Sequence, residues 1–194
     1  MTPDNVSFRD GRAAGIAVLT ATVMIASQVA GKATRDGLFL SWFDVTELPK
    51  AVVVSALLSV IGVLAMSRLL AGLGPSRLVP AVFVTSALLF LGEWLLFSRA
   101  PQVTAAVLYL HMSTFGALLI SGFWSVLNER FDPHSAKRTI ARVAAAATLG
   151  GVLGGVLAER TTDLLGIRPM LLVLGLLHVA CAFGVRRVAT GGGP

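Results

Sequence analysis

The sequence has few charged residues, since Asp, Glu, Lys and Arg make up 13% of its 194 residues while 55% are hydrophobic. A soluble globular domain carries about 25% charged residues. The mean hydropathy is +0.81, and long apolar segments recur along the whole length. We therefore expect an integral membrane protein whose outer surface contacts the lipid bilayer.

Cysteine is nearly absent, and the single Cys181 excludes an intrachain disulfide. No Cys/His cluster has metal-ligand spacing, and no Ser/His/Asp pattern or group of carboxylates indicates an enzyme. We expect no catalytic residue, metal or cofactor. The net charge of +6 comes from basic residues spread between apolar segments rather than gathered in a patch. A nucleic-acid partner is therefore not predicted.

Six apolar segments approach the about 20 residues that a helix needs to cross a bilayer. They cover residues 13–31 (or 13–43), 50–70, 78–97, 103–127, 139–158 and 169–185. Strands of a membrane barrel would alternate apolar and polar residues, and these segments do not. The prediction is an all-α, polytopic bundle over residues 13–187, with tails at 1–12 and 188–194.

The basic residues predict the orientation of the bundle. Ten of the 16 Lys and Arg lie on the side of the termini and four on the opposite side. The positive-inside rule then places both termini in the cytoplasm, and we expect the chain in the inner (cytoplasmic) membrane. Arg9 and Arg12 before an apolar run could also begin a signal peptide cleaved near Gly31 and Ala33. However, the run is long enough to span, so we expect it to be retained.

Charged residues interrupt the apolar pattern in residues 29–43, "VAGKATRDGLFLSWF". Gln28, Lys32, Arg35 and Asp36 would form one polar stripe on a continuous helix. One interpretation places them inside the membrane, facing a polar path, because intramembrane charges usually mark a substrate or ion route. The other ends the helix near Gly31, pairs Lys32 with Asp36 at the surface and leaves the aromatic residues as an interfacial belt. The residues alone favour neither interpretation.

A second informative stretch, residues 122–160, contains a polar turn and a run of glycines. The turn is predicted to be a cytoplasmic loop that gates or steadies the inner mouth of the bundle, with Asn128, Glu129, Lys137 and Arg138 as its candidate residues. Four glycines form overlapping G-x-x-x-G pairs, which let two helix backbones approach closely. They are Gly150, Gly151, Gly154 and Gly155.

Three further polar residues lie within the predicted spans. Glu93 is either a carboxylate near the outer interface or a coupling carboxylate of the kind found in transporters. His111 either makes hydrogen bonds between helices or lines a cavity. His178 is expected to be a packing histidine.

Two stretches resemble the nucleotide (ATP/ADP) translocase family. They are "GKATRDGLFLSWFDVTELPK", with its basic-Asp pair, and "FWSVLNERFDPHSAKR", with its Phe-Trp, Asn-Glu and Ala-Lys-Arg elements. The resemblance runs from about residue 32 to 155. It implies a bundle like the N-terminal half of a major-facilitator-type transporter, with a second half or a second copy of the chain as partner.

The resemblance also implies a function. It favours a first helix that continues to about Phe43, with Lys32 and Arg35 attracting an anionic, nucleotide-like solute. Asp36 would hold the basic pair, and Gln28 and His111 would complete the substrate site. The alternative is a non-transporting membrane anchor or sensor built on the same six helices.

Overall fold

The computed structural model describes the backbone of residues 3–131 and 133–190, and the side chains of residues 11–131 and 139–190. Over these ranges the chain forms six α-helices and no strand. A short 3-10 turn, Val45–Glu47, lies between the first two helices. The helices are α1 (Pro3–Trp42), α2 (Leu48–Leu73), α3 (Pro75–Phe97), α4 (Pro101–Arg130), α5 (Pro133–Leu165) and α6 (Ile167–Thr190).

Glycine and proline explain the tight connections between these helices. A single glycine joins α2 to α3 and another joins α5 to α6, namely Gly74 with φ 73° and Gly166 with φ 84°. Only glycine takes such left-handed angles at no steric cost. Pro75 and Pro101 occupy the first positions of α3 and α4, where no backbone N–H is needed. Connections this short make consecutive helices antiparallel.

All six helices are long and apolar enough to cross a membrane, which confirms the predicted number of spans. The chain is therefore a multi-pass membrane protein. α1 extends beyond the predicted span at its start: it begins at Pro3, so residues 3–12 of the predicted N-terminal tail are helical. Proline is compatible with that position because it lies in the first helical turn. α6 likewise continues to Thr190, and residues 191–194 lie outside the described part.

The helices pack in a regular pattern. α1 packs mainly against α5 and α6, while α4 packs against α3 and α2. α3 and α6 also form an extensive contact with each other, and α1 touches α4. Exchanging the first three helices with the last three, α1 for α4, α2 for α5 and α3 for α6, reproduces this set of neighbours.

The buried core consists of two apolar clusters separated by a polar layer. One cluster includes Met24, Phe83 and Phe123, and the other includes Ala30, Phe90 and Leu108. Between them along the helices lie polar groups that we call the polar layer: the buried side chains of Ser27, Gln28, Ser86 and His178 and the buried Oγ1 of Thr114, with His111 next to Met112 at the adjoining edge of the second cluster. A layer of polar groups thus separates the two clusters, while other buried polar side chains, such as Thr20 and Thr104, lie outside it.

Candidate functional site

The charged stripe of α1 lies within the apolar part of the bundle. α1 continues without a break to Trp42, and Leu38 and Phe39, which follow the charges, are 2% and 4% exposed. Leu38 belongs to the second apolar cluster together with Ala30, so Lys32, Arg35 and Asp36 are flanked on both sides by core residues. The prediction of a helix continuing through Asp36 is confirmed, and the interpretation that ends it near Gly31 is wrong.

Arg35 bridges α1 and α4. Its Nε donates to Asp36 Oδ1 at 2.8 Å and its Nη1 donates to Ser113 Oγ at 2.9 Å. The guanidinium carbon also lies 4.6 Å from the centre of the Tyr109 ring. Tyr109 and Ser113 are one turn apart on α4, so they present the ring and the hydroxyl on the same face. Arg35 is thereby held at a fixed position, with 16% of its side chain exposed.

Lys32 is exposed and has no ion-pair partner among the described side chains. Asp36, which is 49% exposed, pairs with Arg35 instead of Lys32. The surface pairing considered from the sequence therefore does not form. The three side chains carry a net positive charge, because two basic groups share one carboxylate. An exposed ammonium at this level of an apolar bundle needs water, a solute or a polar partner.

Gln28 is buried one turn further into the bundle, with 2% of the residue exposed. Neither of its amide atoms has a hydrogen-bond partner among the described residues, and the same holds for Thr114 Oγ1. Gln28 Oε1 would lie 2.7 Å from a Cβ at Gly116, so a glycine on α4 makes room for this amide. Each buried unpaired polar group costs about 1–3 kcal/mol. A water molecule or a polar group of a ligand would recover that cost.

His111 does not join this site. Its Nδ1 is 2.9 Å from Glu93 Oε1 and its Nε2 is 2.8 Å from Ser86 Oγ, both on α3. Positions two residues apart on a helix point in nearly opposite directions. His111 therefore faces away from Tyr109 and Ser113, which contact Arg35. Of the two roles considered for His111, hydrogen bonding between helices is the one observed.

The predicted inner loop is described only in part. Asn128 and Glu129 are exposed at the end of α4. The guanidinium of Arg130 lies 5.5 Å from the ring of Phe131. The side chains of Lys137 and Arg138 lie outside the described residues, so their predicted role stays a prediction.

Two of the four glycines bring helix backbones together. A Cβ at Gly150 would overlap the backbone of Thr22, and one at Gly154 would overlap that of Ala26, so α5 and α1 touch along this line. Gly151 only reaches Val29, 4.0 Å away, and Gly155 has no described atom within 4 Å. The close approach predicted for both overlapping pairs therefore occurs along one of them.

The sequence reasoning missed the α4 side of the site. Tyr109, Ser113 and Gly116 are spaced i, i+4 and i+7, which places them on one face of α4 opposite the α1 stripe. That spacing is visible in the sequence, but small and aromatic residues at helical spacing usually serve in helix packing. Without the contact to Arg35 nothing singles them out.

Comparison of the chain with protein-family models, curated proteins and solved structures gives no significant match.

Proposed function

We propose that this chain is one half of a membrane transporter that moves an anionic, nucleotide-like solute by alternating access. The observation that carries the proposal is the α1–α4 face, where fixed Arg35, exposed Lys32 and the unpartnered amide of Gln28 follow one another along about 10 Å of helix. Arginine and lysine supply the charge that a phosphate requires, and the amide supplies a donor and an acceptor.

The helix packing supports the transporter fold. Many transporters consist of repeated helix groups, and their solute sites lie near the membrane midplane, between the repeats. Here the two helix triplets have equivalent neighbours, and the polar layer lies near the middle of the bundle. These features agree with the half of a major-facilitator-type transporter that the sequence resemblance implies.

The exposed helices support a partner. Only 11% of the most apolar stretch of α2 and 22% of that of α5 are buried in the bundle, against 56% for α1. Lipid can cover apolar side chains, but it covers a charged group such as Lys32 only at a cost. A second half, or a second copy of this chain, would enclose Lys32 and complete a solute path. We place both termini in the cytoplasm, as the basic residues predict.

A non-transporting anchor or sensor module remains the second candidate. One observation favours it: the guanidinium of Arg35 already contacts Asp36, Ser113 and Tyr109. With these contacts Arg35 could have a purely structural role, which is to join α1 to α4. Solute binding separates the two candidates.

The test is ATP and ADP binding to the purified protein in liposomes, with Arg35→Gln as the variant. Losing a charge-assisted phosphate contact costs about 1.5–3 kcal/mol, so we expect affinity to fall by about ten- to one-hundredfold. Arg99→Gln is the matched control, because Arg99 is an exposed arginine just after α3. Equal nucleotide affinity in wild type and Arg35→Gln would contradict Arg35 as a phosphate contact, and no binding by wild type would favour the anchor module.

A further inference from the structure

A buried chain of three polar side chains connects α3 and α4. His111 lies between Ser86, 2.8 Å from its Nε2, and Glu93, 2.9 Å from its Nδ1. The side chains of His111 and Glu93 are 3% and 2% exposed, and Ser86 is fully buried. The carboxyl group and the imidazole are thus in contact and buried inside an apolar bundle. The net charge of this pair depends on whether one further proton is bound.

Counting charges shows which state the surroundings favour. If Glu93 is ionised and His111 is neutral, a net negative charge is buried and Glu93 Oε2 has no donor among the described residues. One added proton makes the pair neutral overall, whether the ring or the carboxyl group carries it. Burying an uncompensated charge costs far more than burying a neutral, hydrogen-bonded pair. The pair therefore favours holding one proton, which belongs to both groups together.

Ionisable groups on α6 do not supply this charge. The Phe90 ring contacts both His111 and His178, with ring centres 4.7 Å and 5.1 Å apart, and no hydrogen bond joins His178 to Glu93 or His111. The Nδ1 of His178 donates to Leu174 O, and its Nε2 has no partner among the described residues, which suits a neutral ring. Arg168, at the start of α6, stacks on Trp94, 4.7 Å from the ring centre.

The charged groups of α1 and α2 are also engaged elsewhere or exposed. Arg35 of α1 bonds to Asp36 and to Ser113 on the opposite face of α4. On α2, Lys50 pairs with Glu47, and Arg68 is exposed near the other end of the helix. Within the described part of the chain no cation is bonded to the Glu93 carboxyl group. A proton is then the means by which its charge is neutralised.

The three hydrogen-bonded side chains Glu93, His111 and Ser86 are also arranged in order along the bundle. Glu93 precedes the end of α3 at Phe97 by four residues, so it lies about 6 Å from that end. Ser86 lies about 16 Å from the same end, at the level of the polar layer. The three side chains thus lead from the end of the bundle that carries the α3–α4 turn to its middle. Water at that end is the nearest source and sink for the proton.

We infer that Glu93 and His111 form a proton-binding site, which takes up one proton in addition to the ring N–H of neutral His111 and exchanges it with water at the α3–α4 end. No covalent bond other than that to the proton forms or breaks. Release of the proton requires the α3–α4 contact to open, because the charged pair needs water. Its role in transport, the coupling of proton movement to solute movement, rests on the proposed function, whereas proton binding does not.

The binding site is tested by nitrogen NMR of the protein in liposomes with labelled histidine. The chain has 3 histidines, so His111 can be assigned by loss of its signal in His111→Gln. We expect the ring nitrogens of His111 to report a proton shared with a carboxyl group, and that signature to disappear in Glu93→Gln. Glu159→Gln, which alters an exposed carboxylate of α5, should leave it unchanged. An identical His111 signal in wild type and Glu93→Gln would overturn the site.

A second measurement applies where Glu93→Gln does not fold. In His111→Gln the neighbouring amide cannot share a proton as an imidazole does, so a buried Glu93 must carry the proton itself. Infrared spectroscopy of His111→Gln near neutral pH should then show the band of a protonated carboxyl group, and that band should persist in His111→Gln/Glu159→Gln, which removes an exposed carboxylate. An ionised Glu93 in His111→Gln would contradict the site.

Coupling is tested with ATP uptake into liposomes under an imposed proton gradient. One proton per solute allows about a tenfold rise in accumulation per pH unit of gradient. We expect that response in wild type and Glu159→Gln, and ATP exchange without a response in Glu93→Gln. ATP movement that ignores the gradient in wild type would overturn coupling and leave the proposed function standing. If wild type moves no ATP, the proposed function and the coupling both fail, and the histidine signals still decide the proton site.

Discussion

Helices α1 and α2 are both long enough to span a membrane, yet they differ in how much of each is buried in the bundle. The more apolar of the two is the less buried: α2 has a mean hydropathy of 2.2 with 11% of that stretch buried, and α1 has 1.8 with 56% buried. In water the more apolar helix would be inside. In a bilayer, lipid contacts cost nothing, so small and polar residues define the interior.

The types of side chain that α1 buries and α2 exposes agree with this difference. α1 places alanines against the bundle, with Ala17, Ala21 and Ala30 at most 1% exposed. α2 instead places large side chains outward, such as Leu57 and Ile61, each 63% exposed. A partly exposed polar cluster with Arg35 and a buried one with Glu93 also lie on the interior helices α1, α3 and α4. Three predictions test how far the comparison holds.

The largest effect is expected where α1 and α5 touch. Gly154→Leu forces a side chain into the backbone of Ala26, whose Cα would be 2.8 Å from the new Cβ. Backbone cannot move aside as a side chain can, so we expect a loss of about 3 kcal/mol, the upper end of overpacking costs. Unfolding of the purified protein in mixed micelles measures it.

Gly155→Leu is the matched control, because no described atom lies within 4 Å of that position. We expect its unfolding free energy to be no lower than that of wild type, because leucine has the higher helix propensity. Equal losses in the two variants would contradict contact with α1 as the cause, because helix propensity favours leucine over glycine at both positions.

An effect of intermediate size on the unfolding free energy is expected when one leucine of α1 and one of α2 are truncated. Leu38 of α1 is 2% exposed and Leu57 of α2 is 63% exposed. Leu38→Ala leaves a cavity inside the bundle and should cost about 2–3 kcal/mol. Leu57→Ala exchanges one lipid contact for another, so we expect a change below about 0.5 kcal/mol, as for an ordinary surface position.

The same unfolding measurement serves both leucine variants. A large loss in Leu57→Ala would contradict the lipid-facing position of α2. In native membranes such a loss would instead point to a second half or a second copy packed on α2, as the proposed function expects.

The sequence predicted the six spans because apolar length alone identifies a membrane helix. Only the resemblance favoured a continuation of α1 past Asp36, because the residues alone were compatible with both interpretations of the charged stripe. The sequence could not predict that His111 bonds to Glu93 and Ser86. Those contacts depend on the rotation of α3 and α4 about their axes, which periodicity does not fix when a helix is apolar on all sides.

The glycines show the same limit. Gly150, Gly151, Gly154 and Gly155 are equivalent as a sequence pattern. Only the rotation of α5 decides that Gly150 and Gly154 touch α1 while Gly155 has open space beside it. The polar layer was likewise visible only after the helices were aligned, since its members come from α1, α3, α4 and α6.

The smallest effect is expected at the connection between α1 and α2. Asp44 accepts hydrogen bonds from the backbone N–H of Thr46 at 2.9 Å and from its hydroxyl at 2.8 Å. The backbone hydrogen bond first, and the hydroxyl second, lower the pKa of Asp44 below its usual 3.8. A carboxyl group whose pKa is depressed by folding stabilises the fold above its unfolded pKa, and that contribution is lost as pH falls through the folded value. Because Asp44 is fully exposed, the effect stays local.

We expect the amide of Thr46 to exchange hydrogen faster in Asp44→Ala than in wild type at neutral pH, with the difference vanishing in strong acid. Glu47→Gln, which alters the neighbouring exposed pair with Lys50, should leave the Thr46 amide unchanged. A difference that persists in acid would show that the side chain acts through packing and not through its charge.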